Sequence, residues 1–268
     1  MPDTPGSLRR RAAIAACLAL GLTSPLFAQS PAAAPAPGPD FLTRYSFHLS
    51  ANALAIEDER FSWDAHFGGD LDVVDYVKGR TSILADYEVV LGNGFRPFDP
   101  NQAYYALEVS SSYRIGGAEV SGVFHHVSRH LSDRAKQEPI AWNVLGARLL
   151  RSAVVDGITL EARAEAGSVV QHSNVDYGWT ADIDLLISRK LRPRVGVFGH
   201  GHGVMVGVDG TMANRGRQKG GLVEGGVRFE GRAGTLELFA GIERRIDADP
   251  LDQLPRQWGV AGFRLLSK

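Results

Sequence analysis

Chemistry-bearing side chains crowd together in one stretch of this sequence, Phe124-His125-His126-Val127-Ser128-Arg129-His130-Leu131-Ser132-Asp133, which holds three of the eight histidines. The residues leading into it alternate apolar and polar, a strand pattern in which side chains two apart share a face. On that reading His126, Ser128 and His130 lie on one face with Val120, Gly122 and Phe124. Glu119, His125 and Arg129 lie on the other. An imidazole beside a hydroxyl is the pairing that activates a serine nucleophile, provided a third polar group orients the base. A plainer reading has His126, Ser128, His130 and Asp133 ordering a strand end and its loop through bonds to the backbone. A metal reading would pair His126 and His130 with His200 and His202, but no ligand spacing demands it. Neither a metal nor another cofactor is therefore expected. Gly199-His200-Gly201-His202-Gly203 lacks the Gly-Lys-Ser/Thr and the helix of a phosphate loop.

The elements that must position this segment are strands. Ile158, Leu160, Ala162, Ala164 and Ala166 alternate with Thr159, Glu161, Arg163 and Glu165. The pattern recurs in Trp179–Ser188, Leu236–Glu243 and Tyr105–Arg114. Twelve strands are predicted, near 44–56, 61–73, 80–92, 103–115, 118–130, 141–153, 157–170, 176–190, 193–207, 218–231, 234–246 and 257–267. Most exceed the usual five or six residues and suit tilted membrane strands of roughly nine to eleven. Tight connections at Gly116-Gly117, Val155-Asp156, Leu191-Arg192 and Arg232-Ala233 alternate with long ones at 92–102, 132–140, 208–217 and 248–257. Short turns at one end, long loops at the other and an even strand number are the outer-membrane pattern. The predicted fold is all-β: an antiparallel up-and-down transmembrane β-barrel of about twelve strands. The charged face then fills the lumen with Asp86, Glu88, Glu108, Arg114, Glu161, Arg163, Glu165, Asp182, Asp184, Glu224, Arg228, Glu237, Glu243 and Arg245. Both signs occur, so these groups can pair across the interior. Tyr104, Tyr105, Tyr113, Trp142, Tyr177, Trp179 and Trp258 sit near strand ends, where an interfacial belt is expected.

The first forty residues read as export. Arg9-Arg10-Arg11 precedes a short apolar run from Ala12 to Leu22, and Leu26-Phe27-Ala28 offers a cleavage site before Gln29. Ile14-Ala15-Ala16-Cys17 resembles a lipoprotein box, but the apolar run continues past Cys17, which favours a plain signal peptide. The expected organisation is a signal peptide at 1–28, a Pro/Ala-rich tether at 29–40 and a barrel at 41–268. Cys17 is the single cysteine, so the mature chain is expected to hold no disulfide and no thiolate. It keeps 26 basic and 29 acidic residues, a formal charge of −3, which is not a nucleic-acid-binding balance. The expected partners are outer-membrane lipids and, during biogenesis, the barrel-assembly machinery. Oligomeric state is not set by any of these features.

The His126-x-Ser128 pair on a strand face resembles that of two families of outer-membrane lipid hydrolases: outer-membrane phospholipase A, a twelve-stranded barrel, and lipid A 3-O-deacylase, a smaller one. Those families usually follow the serine with Asn, where this chain has Arg129. They place an orienting Asn or Glu about a dozen residues later, which implies Glu138 or Asn143 here. His126, Ser128, His130, Leu131 and Asp133 also resemble the signature of a family of uncharacterised exported bacterial proteins, which implies a barrel and no established activity. Two functions follow. The first is an outer-membrane barrel with a charged lumen, structural or a narrow pore. The alternative is a serine lipid esterase with Ser128 as nucleophile, His126 as base and Glu138 or Asn143 as orienter.

Overall fold

The computed structural model describes residues 38–131, 139–211 and 215–267. The signal peptide, most of the tether, Asp133 and Glu138 lie outside them. Twelve strands run in order: β1 (Asp40–Ala55), β2 (Trp63–Asp75), β3 (Arg80–Gly92), β4 (Asp99–Ile115), β5 (Ala118–Leu131), β6 (Ile140–Val155), β7 (Ile158–Ser173), β8 (Tyr177–Arg192), β9 (Val195–Val208), β10 (Gln218–Glu230), β11 (Gly234–Arg245) and β12 (Arg256–Ser267). Each pairs antiparallel with its sequence neighbours, and β1 pairs with β12 from His48↔Leu266 to Ala55↔Gly259, closing the barrel. No helix occurs among the described residues. β1 begins at Asp40, four residues before the predicted start, and β4 begins at Asp99.

Turn chemistry fixes the ends. Gly116 and Gly117, at φ of 53° and 80°, join β4 to β5, and Asp156 and Gly157, at 51° and 75°, join β6 to β7. Two consecutive positive φ values make the turn whose twist matches a hairpin. The longer loops gather at the opposite end, which in barrels of this kind faces outward from the cell.

Parity sorts the side chains. Leu107, Leu145, Ile183, Val223 and Ile242 are exposed on the outer wall. Charged residues such as Glu108, Glu165, Glu224 and Glu237 are buried inside. A contiguous apolar outer belt is unstable in water and stable in hydrocarbon, and closure leaves no unpaired strand edge. The molecule is a transmembrane β-barrel.

Two apolar clusters lie inside its long-loop end. One packs Leu54, Phe61, Val90, Ala248, Trp258 and Val260. The other packs Leu131, Ile140, Val175, Tyr177 and Val206 with Trp142. This corrects the interfacial belt expected from the sequence. Tyr105, Tyr113 and Trp179 are exposed on the wall. Tyr104 packs against the inward Arg129, while Trp142, Tyr177 and Trp258 pack inward to seal the mouth. The loop from 246 to 255 lies over that seal. Gln102 donates to Ala248 O at 2.8 Å, Arg129 donates to Asp247 O at 2.8 Å, and Tyr177 donates to Asp247 Oδ2 at 2.6 Å.

Candidate functional site on the outer wall

The wall at β5 puts two kinds of chemistry back to back. Inward, Arg129 is 3% exposed and bonds to Gln102, Tyr104 and the Asp247 carbonyl. His125, also inward, contacts Glu108 and Glu165. Outward stand His126 and Ser128, three to five residues from the long-loop end of the strand. β4 places Leu107 opposite His126 and Tyr105 opposite Ser128. β6 places Asn143 opposite His126 and Ala141 opposite Ser128.

Asn143 and His126 meet. His126 Nδ1 lies 2.7 Å from Asn143 Oδ1, and Asn143 Nδ2 donates to Gln171 Oε1 at 3.0 Å. The second bond fixes the Asn143 amide with its oxygen toward the imidazole, so His126 Nδ1 carries the proton. That tautomer leaves Nε2 with its lone pair free to act as a base. A β-bulge after Asn143 shifts the β6–β7 register and brings Gln171 alongside it.

The Ser128 hydroxyl has a different partner. Its Oγ lies 3.1 Å from His130 Nε2. The His130 ring stands edge-on to Tyr105, with centroids 5.2 Å apart at 89°. A row of rings continues from Tyr105 to Tyr87 at 4.8 Å and from Tyr87 to Phe67 at 5.0 Å. Exposed tyrosines such as Tyr105 are the rings that favour the level of lipid headgroups. Below it a groove of about 670 Å³ opens on the outer wall, lined by Tyr45, Phe47, Gly69, Ile83, Leu107, Phe124 and, at one edge, His126. Gly69 pairs with Ala85, and these two small residues between Phe47 and Leu107 make the depression.

Of the remaining sequence-predicted positions, Glu138 and Asp133 fall outside the described residues. The imagined metal set does not assemble, because His126 and His130 face outward while His200 faces inward, 2.9 Å from Asp184 and 3.1 Å from Glu224. Alternation puts His202 on the same inner face as His200. The luminal residues form ion-pair networks, and Arg163, 3.7 Å from Glu165, joins two of them. Arg148 holds Glu108 at 2.6 and 2.5 Å and Glu165 at 2.6 Å. Arg163 lies 2.7 Å from Asp182. Glu237 binds Arg228 at 2.5 Å and Arg264 at 2.9 Å, and Arg264 reaches Glu224 at 2.7 Å. Arg245 crosses from β11 to Asp64 and Glu88, each at 2.5 Å, and bonds Glu243 at 2.8 Å. Arg114 sits at the tight-turn mouth with Asp75 at 2.6 Å. Glu161 is exposed at the same mouth and makes no ion pair among the described residues. Sequence reading missed Arg148, Arg264 and Asp64, and it placed His125 on the inner face without a partner. Each of the three missed lies on the charged face of its strand, so extending the same alternation to β2, β6 and β12 would have found them.

Outside the membrane strands, arginines pin the loops. Arg60 bonds Asp58 at 2.7 Å and Asp249 at 2.9 Å, and Arg215 bonds Asp176 and Asp247, each at 2.5 Å. The Arg60 bond holds the Asp58 carboxyl below its ordinary range. The Asp58 and Asp176 carboxylates in turn raise Arg60 and Arg215.

Comparison with known proteins bears on the fold. No family model matches the chain, and no curated protein matches its sequence. Solved structures do match. Outer membrane phospholipase A from Escherichia coli superposes with a TM-score of 0.51 at 12% identity, over 82% of this chain and 92% of that one. The Salmonella typhi outer membrane phospholipase, a dimer with bound calcium, gives 0.50 at 12%, over 82% and 90%. The fold is that of a bacterial outer-membrane barrel. With the lipid-facing belt, this puts the chain in the outer membrane. OmpT of Vibrio cholerae also matches, at 0.42 and 11% identity over 85% and 97%.

Proposed function

We propose that this barrel is a serine hydrolase of lipid acyl esters, working at the outer leaflet. The observation that carries the reading is the 2.7 Å bond between His126 Nδ1 and Asn143 Oδ1 on the lipid-facing wall, with Ser128 two residues along the same strand face. Base and orienter are bonded to each other, and the nucleophile of this reading lies two residues along the same lipid-facing strand face.

The chemistry follows from the tautomer. The Ser128 side chain turns from His130 toward His126, whose Nε2 takes the hydroxyl proton as Oγ attacks the ester carbonyl. Collapse of the tetrahedral intermediate expels the lipid alkoxide, which takes the proton back from His126. An acyl group remains on Ser128 until water, activated by the same imidazole, releases the fatty acid. Asn143 is a positioning residue that holds the ring and its tautomer. The Arg129 guanidinium lies on the inner side of the wall and does not serve the oxyanion. The groove that ends at His126 is apolar, as an acyl chain requires.

The reading gives the lumen the role of a scaffold, because ion pairs and an apolar seal fill the space that a pore would need. The test is fatty acid release from phospholipid and from lipid A by the purified protein in detergent. Wild type is expected to hydrolyse at least one of them, and Ser128→Ala to release nothing above background. A wild type inert on both substrates overturns the proposal.

A further inference from the structure

Inside the barrel, far from the outer-wall pair in both face and chemistry, the long-loop half of the lumen holds Asp64 and His66 on β2, Asp86 and Glu88 on β3, and Glu243 and Arg245 on β11. Four carboxylates face one guanidinium and two imidazoles there: Arg245 pairs with Asp64, Glu88 and Glu243, while His48 and His66 contact Asp86. Carboxylates gathered in an enclosed space need positive partners. Arg245 occupies only Oδ2 of Asp64 and Oε1 of Glu88. The other oxygen of Asp64, Oδ1, is buried and accepts no hydrogen bond. It lies 3.3 Å from His66 Nε2.

We infer that Asp64, His66 and Glu88 form a binding site for a divalent first-row transition ion of the zinc type. One donor atom from each lies within 4.8 Å of the other two. Bonds of about 2.1 Å in a tetrahedral site give ligand-to-ligand edges of roughly 3.4 Å. The His66–Asp64 edge already has that length, so only Glu88 has to close in. One imidazole nitrogen with two carboxylates suits zinc, manganese or iron better than calcium, which prefers an all-oxygen set. The outer coordination is in place as well, since His66 Nδ1 lies 3.5 Å from Asp86 Oδ2 and His48 Nε2 holds the other Asp86 oxygen at 2.7 Å. A carboxylate behind the ligating imidazole fixes its orientation and raises its basicity. The His66 and Asp86 side chains keep 29% and 25% exposure, so the cluster is not wholly closed to solvent. The site is independent of the hydrolase reading, because it shares no residue with it and lies on the other side of the wall.

Zinc binding is measured on the full-length-derived mature protein, purified in detergent and stripped with chelator, in competition with a zinc-responsive dye. The background carries His126→Ala and His130→Ala, so the outer-wall imidazoles cannot contribute. One ion per chain is expected. His66→Ala and Glu88→Gln should each weaken binding by at least about tenfold. His200→Ala, a second luminal histidine flanked by carboxylates, should leave it unchanged. Cobalt provides a readout that does not depend on the variants folding: a four-coordinate site of nitrogen and oxygen donors gives an intense visible band. No stoichiometric zinc binding, equal binding in His66→Ala, loss in His200→Ala, or a weak six-coordinate cobalt spectrum each overturns the inference.

Discussion

His126 and His130 flank one hydroxyl, and their surroundings give them different work. His126 has a partner that fixes its tautomer, Asn143, which is itself held by Gln171. His130 has the Ser128 hydroxyl at 3.1 Å and an aromatic edge contact with Tyr105. A base needs an orienting group more than it needs proximity in the resting state, since a serine side chain turns about one bond. The two histidines should therefore separate in kinetics. His126→Ala and Ser128→Ala are expected to lower kcat by several orders of magnitude, because nucleophile and base act as a unit. Asn143→Ala should cost roughly tenfold to a hundredfold, as loss of an orienting partner does. His130→Ala should leave kcat within a fewfold of wild type, or raise it by freeing the hydroxyl. Ester hydrolysis by the four variants decides this, and an inactive His130→Ala beside an active His126→Ala would reverse the assignment. The residue types and the shared face of this site were legible in the sequence, because alternation separated His126 and Ser128 from Glu119 and Arg129. That Asn143 comes opposite His126 was not, because it depends on the β5–β6 register, which loop length does not fix.

At the scale of strands and loops, the same charge has different worth in different places. Arg148, 11% exposed, is the guanidinium on Glu108 and one of those on Glu165, each 6% exposed. Arg148→Met leaves both buried carboxylates short of a partner, and removal of one member of such a network costs about 3–5 kcal/mol. Lys190 pairs with Glu230 at 2.7 Å but is 53% exposed, and Lys190→Met should cost under about 1 kcal/mol. Urea titration of the two variants in detergent measures the contrast, and similar midpoints would show that the luminal network adds no stability. The loops respond to acid instead. Because Arg60 depresses the Asp58 carboxyl, that pair stabilises the folded loops above the ordinary aspartate range. Its contribution is lost as pH falls through the depressed folded value. Amide protection across 246–255, which Arg60 also ties down through Asp249 and Asp252, is measured as exchange relative to the intrinsic rate at each pH; it should stay high near neutrality and fall on acidification. Protection that is flat across that window would remove Arg60 and Asp58 as the clamp. Strand positions were readable from alternation. The inward turn of Tyr104, Trp142, Tyr177 and Trp258 was not, because a ring near a strand end fits a membrane interface and an internal seal equally well by sequence.

For the molecule as a whole, closure and the two-faced wall make a membrane barrel, and the contents of the lumen decide whether it also conducts. Twelve strands could enclose a channel, since lumen width grows with strand number. Here the long-loop mouth is shut by the Leu54, Phe61, Val90, Ala248, Trp258 and Val260 cluster, where Val90 and Ala248 are wholly inaccessible to solvent. The 246–255 loop over it is tied to the opposite wall by Gln102 and Arg129. Deeper in, Arg245 reaches from β11 to Asp64 on β2 and Glu88 on β3, which puts a fixed bridge across the interior. An ion entering from outside meets first an apolar plug and then an occupied polar cluster, and neither opens without breaking several bonds at once. Wild-type protein in planar bilayers is therefore expected to give no steady conductance. Replacing 248–254 by a short turn should remove the plug and leave the bridge, so brief and small openings are expected. Adding Arg245→Ala to that deletion should widen them into a steady current. A large ohmic conductance in the wild type would mean that the seal is not kept in the bilayer, and would favour a transport role over a scaffold for a surface enzyme.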